Sequence, residues 1–252
     1  MSKLPEVLPD VVWLSVSPAL RQFDRPLLSR LSQSHSVARW EYSQTLDEPN
    51  SFDAALVLLH DYLKHQPRPI HLIGHSTSGL LGLLYARQHP ERVKSLTLLS
   101  VGVYPAVDWQ AHYYAQAQFL SCSRLVLLTQ MVYNLLGRQS RSITQAWVKV
   151  LDRDLLTSLS PHTLFQRVSI PPGDVPVPLM VCGGADDIVI DPNLFQGWRD
   201  WVKEGDRLWL CPKGEYFFHC NQSALTGDQI SKFWSSLQTP THPASRTSFS
   251  PF

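Results

Sequence analysis

The stretch PIHLIGHSTSGL, residues 69–80, sets a short apolar run before a turn of small residues, and a helical run follows it. Ile70 to Ile73 reads as a strand and Leu80 to Gln88 as a helix. Strand, sharp turn and helix around G-x-S-x-G is the setting that lifts a serine hydroxyl over the carboxyl end of a sheet. The last glycine of that pattern is Ser78, which is still small enough for helix and strand to pass closely, and Gly79 follows. The N-terminus of the helix adds free N–H groups and positive potential beside Ser76. The N–H of Thr77 is then a natural oxyanion donor.

Outward from this turn the chain alternates between two periods. Residues 11–16, 36–42, 93–100, 177–182 and 207–211 read as further strands. Residues 24–31, 51–63, 191–202 and 224–237 read as helices, the first opened by Asp24 with Pro26 near its first turn. Such alternation predicts an α/β fold: a mostly parallel sheet of about six strands flanked by helices. Ligands in these sheets gather at the carboxyl ends of the strands. Residues 1–103 and 177–237 form the expected core domain. Between them, 104–176 holds helix-like pieces and no strand, so it reads as a helical lid with aromatic walls. The turn-rich segment 238–252 reads as a disordered tail.

A serine hydroxyl needs a base to take its proton and a third group to orient that base. The loop after the next-to-last strand, CGGADDIV at 182–189, carries Asp186 and Asp187. The loop after the last strand, PKGEYFFH at 212–219, carries His219. Both loops fall at carboxyl ends of strands, and the chain order is serine, acid, histidine.

On GHSTSG, GGADDIV and the KGEYFFH loop before the helix containing KFW, the chain resembles the α/β-hydrolase family over nearly its whole length except the tail. The resemblance implies a helical lid and a Ser-His-acid hydrolase. It makes Ser76 the nucleophile and Asp187 the acid when the count starts at Gly184; a count from Gly183 points to Asp186. The family's Gly-His pair reads Gly214-Glu215, which leaves His219 as the base four residues on. The side chain of His75 is expected to point elsewhere in the elbow. The family's His-Gly after the first strand is replaced by Val16-Ser-Pro-Ala-Leu20. Pro18 has no N–H, so the second oxyanion donor comes from Ser17, Ala19 or Leu20, with Ala19 the working assignment.

Composition narrows the partners. With 22 Lys+Arg against 21 Asp+Glu among 252 residues, no net field draws the chain to nucleic acid. The four cysteines show no CxxC spacing, and His71 and His75 run from a strand into a turn, so neither metal nor cofactor is expected. The N-terminus lacks a signal-peptide core, and no apolar run reaches the roughly 20 residues needed to span a bilayer. The expectation is a cytoplasmic serine hydrolase that cleaves an apolar ester or thioester through an acyl-enzyme. The resemblance extends to hydrolases of photosynthetic lineages, some of which act on long-chain or prenyl-type esters. The alternative is a catalytically inactive binding or scaffold protein on the same fold. Oligomeric state is left open.

Overall fold

Strands buried on both faces read as near-continuous apolar runs rather than as alternating ones, and β-branched and leucine-rich runs of this kind build the sheet here. The computed structural model describes residues 8–43, 47–164 and 169–237; the tail expected at 238–252 lies outside them. In chain order the elements are β1 (Val11–Ser15), α1 (Arg21–Leu31), β2 (Val37–Glu41), α2 (Phe52–Lys64), β3 (Ile70–His75), α3 (Thr77–Gln88) and β4 (Val93–Leu99). Three helices follow, α4 (Trp109–Phe119), α5 (Arg124–Leu136) and α6 (Arg141–Thr157). The core resumes with β5 (Leu179–Gly184), α7 (Pro192–Gln196), β6 (Arg207–Cys211), α8 (Phe218–Asn221) and α9 (Ser223–Ser236).

The strands form one sheet in the order β2-β1-β3-β4-β5-β6, and every neighbouring pair is parallel. The expected α/β sheet of about six strands is therefore present, and it is wholly parallel. Successive side chains alternate faces. Val12 and Leu14 join α2 and α3 in one core, whereas Val11 and Trp13 join α1 and α9 in the other. A third apolar cluster ties α4, α5 and α6 to Leu20, Phe23, Tyr216 and Phe217. Asp108, Ser123 and Ser140 cap these three helices by accepting backbone N–H bonds in their first turns.

Two local differences from the sequence reading matter for the site. A 3-10 turn at Pro18–Leu20 runs straight into α1, so that helix starts before Asp24. Asp24 is consequently an interior, buried residue and not a cap. The second difference is α8, a single helical turn that carries His219 inward.

Candidate active site

The elbow is built as its sequence requires. Ser76 adopts φ 52° and ψ −126°, in the left-handed region that costs a non-glycine residue about 1–3 kcal/mol. Its backbone N–H donates to the Leu99 carbonyl (2.8 Å), which fixes the turn to the neighbouring strand. The surrounding glycines answer a close approach: a Cβ on Gly74 would lie 2.7 Å from the Gly79 nitrogen. Ser78 has a task of its own. Its Oγ accepts the Val16 N–H at 3.0 Å, which ties the end of β1 to the elbow. Thr77, at the start of α3, contributes one of the N–H groups that an α-helix leaves without an internal partner.

A cavity of about 20 Å³ lies in front of the half-buried Ser76, roomy enough for about one water. His75, Asp24, Asp108 and Tyr216 line it, with Trp13, Leu20 and Trp109 as apolar wall. Ser17 and Leu20 face this cavity, whereas Ala19 lines an outer groove on the other side of its turn. Asp108 clamps the helical insertion over the elbow by accepting the hydroxyls of Thr77 (3.0 Å) and Ser160 (2.7 Å) and the Ala111 N–H (2.9 Å).

The last loop arranges its residues differently from the expected triad. Glu215, at the position of the expected histidine, lies against Gly137 at the end of α5. The next residue, Tyr216, is fully buried and donates its phenolic proton to Ser76 Oγ. His219 is also fully buried, with Nε2 3.3 Å from Asp24 Oδ1 and its ring centre 4.5 Å from that of His75. Among the described residues no hydrogen bond joins His219 to Ser76 or to Asp187, and His219 Nδ1 has no partner. Two bonds to α5 help hold this loop: the Phe217 N–H donates to the Leu135 carbonyl (3.1 Å) and the Asn221 amide to that of Leu136 (3.0 Å).

Of the two candidate acids, Asp186 is exposed and Asp187 is buried. Asp187 Oδ1 accepts the N–H groups of Val189 (2.9 Å) and Ile190 (3.0 Å), and the Ser100 side chain also favours its ionised form. Ser76 and Tyr216 are thus brought together, and Asp187 and His219 are each held by other groups. Sequence reasoning missed Tyr216, Asp24 and Asp108. The signal for Tyr216 was its place directly after Glu215. Asp24 and Asp108 gave none, since each is recruited by residues distant along the chain.

Burial governs the protonation of these groups. Desolvation raises Asp24 to about 7 against the pull of Arg39, and raises Asp187 to about 6. It lowers His219 to about 3, and it lowers His75 to about 3 with the help of neighbouring His219. Both histidines are neutral near pH 7; the ionised Asp24 carboxylate accepts a hydrogen bond from His219 Nε2, whereas the protonated carboxyl can donate to it. His75 donates from Nε2 to the Tyr216 carbonyl (2.9 Å). The phenol of Tyr216 is pushed well above its ordinary 10, chiefly by burial, so it remains a donor.

Residues 51–121, which contain the elbow, match the family model described as alpha/beta hydrolase fold. The chain has the α/β hydrolase fold. It is 54% identical over 228 residues to the uncharacterized protein sll0249 of Synechocystis sp., covering 90% of this chain and 91% of that one. It is 44% identical to the uncharacterized protein alr2406 of Nostoc sp., covering 89% and 90%. Both relatives are cyanobacterial, in keeping with photosynthetic lineages. The crystal structure of naproxen esterase from Bacillus subtilis superposes with a TM-score of 0.68 over 91% of this chain and 85% of that one. At 16% identity this shows the fold alone. This fold supports a hydrolase at the coarse level. Among the described residues no helix is long and apolar enough to cross a membrane, and no cluster of His, Cys, Asp and Glu suits a metal ion.

Proposed function

We propose that this chain uses its hydrolase fold to bind a small apolar carbonyl compound at Ser76 without forming an acyl-enzyme. The observation that carries this reading is the phenol of Tyr216 on Ser76 Oγ. A base must accept the serine proton, and a phenol whose pKa burial drives upward donates one instead. With Tyr216 donating into Ser76 Oγ, the serine's own proton is left for an acceptor in the cavity. Together with the Thr77 N–H it makes a pair of donors suited to a carbonyl oxygen. Trp13, Leu20 and Trp109 supply the apolar wall. A cavity of about 20 Å³ admits such a compound only if the helical insertion swings away from the elbow, as a lid would.

A fluorophosphonate probe tests the proposal, because it reacts with activated serines. The expected result is no labelling of the intact protein, alongside saturable binding of a short alkyl methyl ketone that weakens in Ser76→Ala. Labelling that Ser76→Ala abolishes would overturn it in favour of a second reading. That reading is an ester or thioester hydrolase in which Ser76, His219 and Asp187 act as a triad and the Thr77 N–H, with a second N–H from the turn at residues 17–20, holds the oxyanion. The strained elbow favours it, since φ 52° at Ser76 is a cost that a passive turn does not need. It requires His219 to leave Asp24 and reach Ser76.

A further inference from the structure

Behind the wall of the Ser76 cavity lies a second concavity. The 3-10 turn and the first turn of α1 form a partition: Ser17, Leu20 and Asp24 face the cavity, and Pro18, Ala19, Arg21, Gln22 and Arg25 face outward. The outward face borders an open groove of about 700 Å³, closed on its far side by Lys149, Val150, Arg153 and Thr157 of α6. That volume lies within the roughly 300–1,000 Å³ of small-molecule sites.

Its charge is one-sided. Arg21 and Arg25 stand four residues apart on α1, and Lys149 and Arg153 stand four apart on α6. Like charges at this spacing repel along one helix face, and here two such pairs confront each other across a groove with no acid among the described residues of its lining. Among the described residues Arg21 pairs only with Glu41, at 3.6 Å, and Arg39 holds that carboxylate more closely at 3.0 Å. Among the described residues Arg25, Lys149 and Arg153 make no ion pair, although α6 does pair elsewhere, through Asp152 to Arg124. Stability alone gives no reason for this arrangement; an anion in the groove would relieve it.

We propose that the groove between α1 and α6 binds a phosphate-bearing ligand with two or more negative charges, held by Arg21, Arg25, Lys149 and Arg153. Guanidinium forks match phosphate oxygens two at a time, and four cations suit a diphosphate better than a single carboxylate. The site lies outside the Ser76 cavity and does not depend on what Ser76 does. A ligand there would brace α6 against α1 and hold the helical insertion closed.

Calorimetric titration of the full chain with inorganic pyrophosphate tests this, in parallel with flotation on phosphatidylglycerol and on phosphatidylcholine vesicles. The variants are Arg25→Glu/Arg153→Glu in the groove and Arg207→Glu, an exposed cation on β6 outside it. The expected result is binding that falls at least tenfold in the groove variant, changes less than twofold in Arg207→Glu, and weakens with added salt. Pyrophosphate binding with that pattern identifies a soluble phosphate ligand. Binding confined to phosphatidylglycerol vesicles, with the same pattern, identifies a lipid headgroup as the source. No binding of either probe at millimolar concentration overturns the proposal, as does a loss equal in the two variants or confined to a variant whose circular dichroism shows unfolding.

Discussion

The two ends of the site meet where Tyr216 touches Ser76, yet they are built to opposite purposes. At the β3 end the contacts push Ser76 forward: the backbone bond to Leu99, the packing of Gly74 on Gly79, and the tie from Ser78 to Val16. At the β6 end the contacts draw the histidine back. The turn of α8 buries His219 against Asp24, and the loop's bonds to α5 lie on either side of it. The phenol of Tyr216 fills the gap in front of the serine. A nucleophile elbow is thus a local product of one strand, one turn and one helix. A base is a long-range product, and it can be redirected while the elbow stays intact.

Breaking the loop end should cost most. A Cβ on Gly184 would collide with the carbonyl of Gly214, where the two acid- and histidine-bearing loops touch backbone to backbone. Gly184→Ala is expected to lose about 3 kcal/mol of stability, measured by urea unfolding. Gly74→Ala, the matching change at the elbow, should cost about the same, because there too the obstacle is backbone. A loss confined to one of them would show that the two ends are not equally rigid.

Asp24→Ala comes next. It strips a shared acceptor from the indole N–H of Trp13 (3.1 Å), the guanidinium of Arg39 (3.1 Å) and His219 (3.3 Å), all around a buried point. The expected loss is about 2 kcal/mol. If Asp24 is what holds His219 back, the same variant should also begin to label with fluorophosphonate. A smaller effect, about 1 kcal/mol, is expected for Tyr216→Phe, which removes one buried hydrogen bond while half-buried Ser76 remains able to find another partner.

The subtlest test is pH. The Asp24 carboxyl titrates near 7 in the fold and near its ordinary 3.8 when unfolded. Between these values the folded chain holds a proton that the unfolded chain has released, so this group's contribution grows on acidification and is lost as pH rises toward 7. His75 and His219 work in the opposite direction. Their folded values sit near 3 against an ordinary 6.5, so stability falls as pH drops from 6.5 toward 3 and the unfolded chain alone takes up protons. Asp24→Asn removes the compensating group. The stability gap between Asp24→Asn and the native chain should therefore be wider at pH 5 than at pH 8, read from urea midpoints at both. An unchanged gap would mean that Asp24 does not titrate differently in the fold.

The fold was legible because its signals are local. Each strand is a short apolar run bounded by turn residues, and the elbow glycines mark a close approach within a dozen residues of chain. The boundary of α1 was misplaced because Asp24 followed by Pro26 carries the signature of a helix start, while the preceding 3-10 turn supplied the helical backbone earlier. The insertion between β4 and β5 was legible as helices, but its hold on the elbow through Asp108, Thr77 and Ser160 was not, because those residues are 31 and 52 positions apart from Asp108.

What the sequence determined by itself was the sheet, the order of its elements, and a serine raised on a strained turn at its carboxyl edge. These follow from side-chain periodicity and backbone sterics, which act over a few residues at a time. Only the tertiary structure decided what Ser76 faces. Placing the phenol of Tyr216 on that hydroxyl and the imidazole of His219 on Asp24 depends on one turn of helix in the last loop, and on an acid 195 residues earlier in the chain. Hydrogen bonds and buried charge are settled by proximity in space, and spacing along the chain does not carry that information.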